Sequence, residues 1–179
     1  MLIKDHEPRA FSIANAPHDD EFVELHIRFV EGGLFTEQVF HSMKEKAMWR
    51  IRGPLGTFFL REDSDRPAIL IGGGTGFAPI KGQIEYAFET GIERPMELYR
   101  GVRAEQDLYL ADLPKAWAKD HSNFSQVDVL SEPDEDWAGR SGWVHEAVLE
   151  DHPENLADYD IYMAGPPVMV QAARDAFRD

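Results

Sequence analysis

AILIGGGTGFAP, residues 68–79, sets an apolar run of strand length against three consecutive glycines, a Thr-Gly pair and a proline. Glycine at 72 to 74 and at 76 permits positive φ and removes Cβ, so an anionic ligand can approach backbone N–H groups at the positive end of a following helix. Gly74, Gly76 and Pro79 fit a G-x-G-x-x-P spacing, in which Pro79 is expected to start the helix. An ATPase-type phosphate loop needs Gly-Lys-Ser/Thr, whereas Lys81 stands between Ile80 and Gly82. A nucleophile elbow needs Gly-x-Ser-x-Gly, which is missing from the stretch. A tight strand-to-helix turn without a ligand stays open at this point.

Outward from that turn, apolar runs alternate with helix-period segments. PAILIG reads as a strand and APIKGQIEYAFETG as a helix ending near Gly91. MELYRGV is the next strand, followed by a mostly helical Asp107 to His121 with a break near Pro114. FSQVDVL is a third strand, GWVHEAVLED a short helix, YDIYMAG a fourth strand, and a last helix starts at about Pro167. This order predicts an open, mainly parallel α/β sheet with helices on both faces. YMAGPPVMV, residues 162–170, opens a second glycine-bearing loop on the same carboxyl edge, where such sheets bind ligands.

The first part reads differently. RAFSIANAP, EFVELHIRFV and MWRIRGPLGTFFL are partly alternating strand candidates, with one helix-like segment, LFTEQVFHSMKEK, before the last. The pattern predicts part of an antiparallel barrel over residues 1–62. REDSDRP, residues 61–67, is the expected linker into a nucleotide-binding domain over 63–179.

The chain has 179 residues, 43% of them hydrophobic, and a net charge of −15. That charge repels nucleic acid and anionic membranes, and no Lys/Arg stripe overrides it. No apolar run approaches the roughly 20 residues of a membrane helix, and MLIKDHEPRAF lacks a signal-peptide core, so the expected location is cytoplasmic. Without cysteine the chain holds no cysteine-ligated cluster, and its histidines show no metal spacing, so no metal site is expected.

Five motifs, RAFSIA, GGLFT, GPLGTF, GGGTGFAP and AGPPVM, stand in the order found in the ferredoxin:NADP reductase superfamily, which the chain resembles over nearly its whole length. Within it the similarity is greatest to CDP-6-deoxy-glucoseen reductases and oxygenase reductases, with NAD(P)H:flavin oxidoreductases close behind. The resemblance implies a flavin-binding barrel followed by a nicotinamide dinucleotide domain. It implies hydride transfer from NAD(P)H to bound FAD, FMN being second choice, and onward electron transfer to an iron-sulfur domain or protein. A reductase that releases free reduced flavin and a non-catalytic nucleotide-binding module are the alternatives.

By the same resemblance, Arg9 pairs with the flavin diphosphate, Phe11 packs on the isoalloxazine and Ser12, the one residue assigned to the reaction centre, hydrogen-bonds near flavin N5. A guanidinium fork, an aromatic face and a hydroxyl suit those tasks. Backbone groups of His26 and Ile27 would lie beside the flavin and Arg28 near its phosphates. Gly33, Leu34 and Thr36 would open a helix turn toward the pyrophosphate. Thr75 would lie near the carboxamide of the nicotinamide, with Gly74, Gly76 and Pro79 shaping the pyrophosphate turn. Gly165, Pro166 and Met169 would form the opposite wall, with Ala164 where many relatives have cysteine. Arg103 would meet the adenosine end, and the acid after Ser131 favours NADH over NADPH.

The resemblance also implies more barrel than the about three strand candidates supply. It implies a further strand after the last helix and a fused ferredoxin-like domain in the nearest relatives. The chain is therefore expected to be a fragment, with weak flavin retention and self-association through unpaired strand edges.

Overall fold

The structure, a computed structural model, describes residues 2–3 and 8–178. Met1, residues 4–7 and Asp179 lie outside the described residues, so five of the eleven residues of the leading stretch MLIKDHEPRAF fall there. The chain runs β1 (Leu2–Ile3), α1 (Leu34–Glu37), β2 (Arg50–Ile51), β3 (Ala68–Gly73), α2 (Phe77–Thr90), β4 (Met96–Val102), α3 (Asp112–Asp120), β5 (Phe124–Leu130), β6 (Arg140–Ser141), α4 (Val144–Asp151), β7 (Asp160–Ala164) and α5 (Pro167–Ala176).

Every residue of β3 is buried, which is what a continuous apolar run requires when helices cover both faces of a sheet. Ala68 and Leu70 point to one side, against Ile80 and Ile84 of α2 and Trp117 of α3. Ile69 and Ile71 point to the other, against Val144, Ala147 and Val148 of α4. Burying each of these aliphatic side chains contributes about 1.5–3 kcal/mol, so this strand anchors both layers. The sheet has five strands in the order β6-β5-β4-β3-β7. All four pairings are parallel.

The chain steps from β3 to β4 on one side and returns through α4 to place β7 on the other. The strand order therefore reverses at β3, and the crevice of an open α/β sheet lies at such a point. Gly91 ends α2 as expected, in the left-handed conformation at φ 71°.

Two proline readings are corrected. α2 begins at Phe77, so Pro79 lies inside the first turn, where its missing N–H leaves no helical bond unmade. α3 likewise begins two residues before Pro114, which caps no break but sits buried in the first turn. A short turn at Glu105–Asp107 and an irregular stretch precede it. β6 was not anticipated, its two residues being too few to show a period.

Before the linker, fewer ladders form than the alternation predicts. Among the described residues, the pairings are Leu2–Ile3 with Arg50–Ile51 and an isolated Ile13 to Leu25 bridge, with Arg9 a further single bridge residue. The hairpin between Ile13 and Leu25 combines one cross-strand backbone bond, Ala14 N–H to the Glu24 carbonyl at 2.9 Å, with a side chain. The Asn15 amide donates to the Asp19 and Phe22 carbonyls and accepts from the Glu24 N–H at 2.9 Å. In the third candidate strand Gly53, Pro54 and Gly56 interrupt the pairing, Pro54 having no N–H and Gly56 adopting φ 98°. The helix expected through Lys46 stops at Ser42 with a wider π turn, Met43 N–H reaching the Gln38 carbonyl at 2.8 Å. Lys46 itself is at φ 64°, which no helix accommodates.

The first part docks on the sheet through α2 and the linker. Leu60 is buried in the core, and the Arg61 N–H donates to the Tyr162 hydroxyl at 3.1 Å. A Cβ on Gly82 would stand 3.2 Å from the Asn15 carbonyl oxygen, so the hairpin backbone lies directly on the helix.

Candidate functional site: a cleft at the strand-order reversal

At the carboxyl end of β3 the chain turns through Gly74–Gly76 before α2 begins. Gly74 is at φ 51° with open space where its Cβ would stand, so its backbone is presented to the cleft. Gly76 meets the second loop: a Cβ there would overlap the Ala164 carbonyl and stand 2.5 Å from the Gly165 nitrogen. The two glycine-bearing loops therefore touch backbone to backbone. No side chain caps the amino end of α2 or of α5; the Phe77 N–H bonds back to the Gly74 and Thr75 carbonyls and the Met169 N–H to the Pro166 carbonyl at 3.0 Å, so what both helices turn toward the cleft is chiefly the positive end of their dipoles.

These loops form one wall of a cleft of about 660 Å³, and the segment around Arg9 to Ser12 and Arg28 to Thr36 forms the other. Of the residues named from sequence, Arg9, Phe11, Ser12, His26, Arg28, Gly33, Leu34, Thr36, Gly74, Thr75, Gly76, Pro79, Gly165 and Pro166 line it. Met169 stands behind that wall, where Cβ atoms on Gly73 and Gly165 would run into its side chain. Ile27 and Arg103 are not in the lining. Arg103 is exposed at the end of β4, 3.8 Å from Glu132. Phe35, Val30 and Ala78 also line the cleft and carried no signal beyond ordinary apolar residues.

The lining holds Arg9, Arg28 and no carboxylate, in a chain of net charge −15. A basic, Cβ-poor cleft of this size in an acidic protein suits a ligand with a diphosphate and flat rings. Phe11 packs against Phe35 at 5.0 Å between ring centroids, and Phe35 against Trp49 at 5.4 Å, giving the Arg9–Ser12 wall an aromatic backing. The Thr36 hydroxyl donates to the Val30 carbonyl at 2.8 Å and accepts the Val30 N–H at 3.2 Å, so it closes the turn before α1.

His26 was read for its backbone, yet its ring is engaged on both sides. Nε2 lies 2.8 Å from Glu24 Oε1 and Nδ1 2.7 Å from the Tyr109 hydroxyl. Glu24 in turn accepts from Lys81 Nζ at 3.0 Å. Burial pushes the Glu24 carboxyl up, but hydrogen bonds from His26 and Lys81 outweigh it and hold the group below the usual carboxylate range. Lys81 is raised, because Glu85 and Glu24 outweigh its burial. Burial is the main cause that pushes Tyr109 up to about 12, so it stays a neutral phenol.

The sequence profile described as oxidoreductase NAD-binding domain matches residues 70–175, more than half of the chain. The chain belongs to the oxidoreductase NAD-binding domain family. A second profile, the oxidoreductase FAD-binding domain, matches residues 3–60, so this NAD-binding domain follows a flavin-binding one. The chain is 41% identical over 176 residues to the CDP-6-deoxy-L-threo-D-glycero-4-hexulose-3-dehydrase reductase of Yersinia pestis, covering 98% of this chain and 53% of that protein. It is 38% identical over 164 residues to the ferredoxin–NAD(P)(+) reductase component of the Pseudomonas putida naphthalene 1,2-dioxygenase system, covering 92% of this chain and 49% of that protein. Among solved structures it is similar to an Amycolatopsis cytochrome P450 reductase, with a TM-score of 0.86, 37% identity, and coverage of 94% of this chain and 51% of that one. The chain spans about half the length of the curated relatives it matches. The family resemblance carried by the five motifs is thus borne out, and so is the α/β class with its partial barrel.

Proposed function

We propose that the chain is the FAD- and nucleotide-binding part of an NADH-dependent flavoprotein reductase that supplies an iron-sulfur acceptor. The observation that carries the reading is the contact of two glycine loops at the strand-order reversal, facing Arg9, Phe11 and Ser12 across one basic cleft. FAD, when bound, supplies acceptance of a hydride and release of electrons singly. The protein's part is to hold two flat rings together and keep water out.

In this reading Arg9 and Arg28 meet the FAD diphosphate, Phe11 packs on its ring and Ser12 offers a hydroxyl beside the reacting nitrogen. The backbone of His26 and Ile27 borders the flavin, and Gly33, Leu34 and Thr36 shape the turn that receives its pyrophosphate. Gly74, Thr75, Gly76 and Pro79 take the nicotinamide nucleotide from one side, and Gly165, Pro166 and Met169 support it from the other. Arg103 and Glu132 stand together near the exit of the sheet, and the Glu132 carboxylate disfavours a 2′-phosphate, so NADH is preferred over NADPH. The names of the Pseudomonas and Yersinia relatives support a reductase that serves a second protein. No described helix is long and apolar enough to cross a membrane, and the reading places the protein in the cytoplasm. Self-association through the unpaired strand edges of the first part is supported by exposed Phe22 and Met48 there.

Anaerobic mixing of NADH with FAD-loaded protein tests the reading. Bleaching of the flavin absorbance is expected; nucleotide binding without bleaching would replace the reductase with a binding module. Turnover that persists after dialysis only when flavin is added back would indicate a reductase of free flavin.

A further inference from the structure

The side chains between the cleft and α2 close a circuit. Lys81 of α2 donates to Glu24 Oε2 at 3.0 Å, and Glu24 Oε1 lies 2.8 Å from His26 Nε2. His26 Nδ1 lies 2.7 Å from the Tyr109 hydroxyl, and the Tyr109 carbonyl accepts from Arg100 at 2.6 Å. The Arg100 guanidinium then lies 4.4 Å over the ring of Phe77, the first residue of α2. One consistent proton assignment satisfies it: Nε2–H donates to the carboxylate and the phenol donates to Nδ1.

The expense of the arrangement indicates what it is for. Arg100 is 1% exposed, its other terminal nitrogen has no partner among the described residues, and the Asp128 carboxylate is 3.9 Å away. An apolar residue in the sheet core would avoid that desolvation. What only the guanidinium does is tie the carbonyl of Tyr109 to the start of the helix that follows the nucleotide turn. The phenol of the same residue then reaches across to the ring of His26, a residue that borders the flavin side of the cleft.

We propose that His26 and Tyr109 are a positioning pair whose hydrogen bond sets the separation between the flavin-side segment and the nucleotide turn. The pair acts through its side chains, by placing both walls, and leaves the border of the cleft to the His26 backbone. This inference rests on the reductase reading for its consequence in catalysis, while the pairing itself is testable without any cofactor.

Tyr109→Phe removes one hydroxyl and keeps the ring packed at 5.8 Å from Phe77. In the ligand-free chain, amide hydrogen exchange of residues 24–28 is expected to quicken while that of β3 and β4 stays unchanged. With FAD and NADH, the dissociation constant for NADH is expected to hold within about twofold. The first-order reduction rate at saturating NADH is expected to fall about tenfold, together with the long-wavelength charge-transfer absorbance of stacked rings. His26→Gln, which retains an acceptor for the phenol, is expected to lose less than Tyr109→Phe. Unchanged exchange at 24–28 in Tyr109→Phe would overturn the pair, as would an NADH affinity that falls in step with the rate. Failure of the wild-type protein to bleach flavin would instead remove the reductase reading, and the exchange comparison would still decide the pair.

Discussion

The Cα of Gly76 packs directly against the carbonyl of Ala164, leaving no room for a methyl group. The backbone at Gly76 is ordinary helical, at φ −61°, so any effect of substitution there comes from space and not from torsion. Gly76→Ala is expected to push the two loops apart, at about 1–3 kcal/mol of stability. NADH affinity should fall by tenfold or more, since about 1.4 kcal/mol suffices for that factor. Isothermal titration alongside urea unfolding separates the two losses.

Lys81 is nearly buried and bridges Glu24 and Glu85, whereas Glu24 is partly exposed. Lys81→Met should therefore cost about 1–2 kcal/mol, less than a fully buried pair. The pH dependence follows from the directions of both shifts. Glu24 is depressed, so its contribution is present above its usual 4.5 and is lost as pH falls through the lower folded value. Lys81 is raised, so its contribution is complete below 10.5 and is lost only in stronger alkali. Thermal unfolding of wild type between pH 6 and 3 should show an acid loss that Lys81→Met lacks in part.

Arg94 holds the linker end of the sheet. It donates to Asp160 at 2.9 Å, to the Arg66 carbonyl at 3.1 Å and to the Tyr162 hydroxyl at 3.2 Å. Burial raises the Asp160 carboxyl, but Ser64 and Arg94 outweigh it and hold it below the carboxylate range. Arg94→Met leaves that carboxylate without its best partner and is expected to destabilise by about 2–4 kcal/mol. Guanidinium unfolding curves check the magnitude, and NADH affinity in the folded baseline should be unchanged.

Glu132 stands 3.8 Å from Arg103, both exposed. Glu132→Gln removes the negative charge that a 2′-phosphate would meet and leaves Arg103 to attract it. On the proposed reading, the ratio of NADPH to NADH dissociation constants should fall by about tenfold, mainly through NADPH affinity. Equal ratios in wild type and variant would show that selection lies elsewhere.

The parallel sheet was legible because local signals agree with the tertiary outcome. The run 68–73 is apolar throughout, Gly91 stops a helix where the period ends, and helices separate β4, β5 and β7. The same agreement located the cleft, since glycine and proline at 74–79 and 165–166 act through backbone geometry. The first part was harder to read. Its alternation is real, but Asn15 holds the hairpin with one amide, and Pro54 and Gly56 suspend the ladder that the period predicts. The His26 to Tyr109 contact joins residues 83 apart. The resemblance points to the His26 backbone alone and nothing marks Tyr109, so only the folded arrangement of β4 and the stretch after it reveals the pair.

The parallel pairing of β3 with β7 joins the first and last strands of the sheet, Gly72 lying opposite Ala164. Loop-closure entropy makes such a distant pairing a late event in folding. During synthesis the glycine turn at β3 emerges long before the Ala164 backbone that seats it, so a nascent chain holds half a binding site until β7 has been made. A nicotinamide nucleotide held by both loops therefore stabilises only molecules in which β7 has already inserted beside β3.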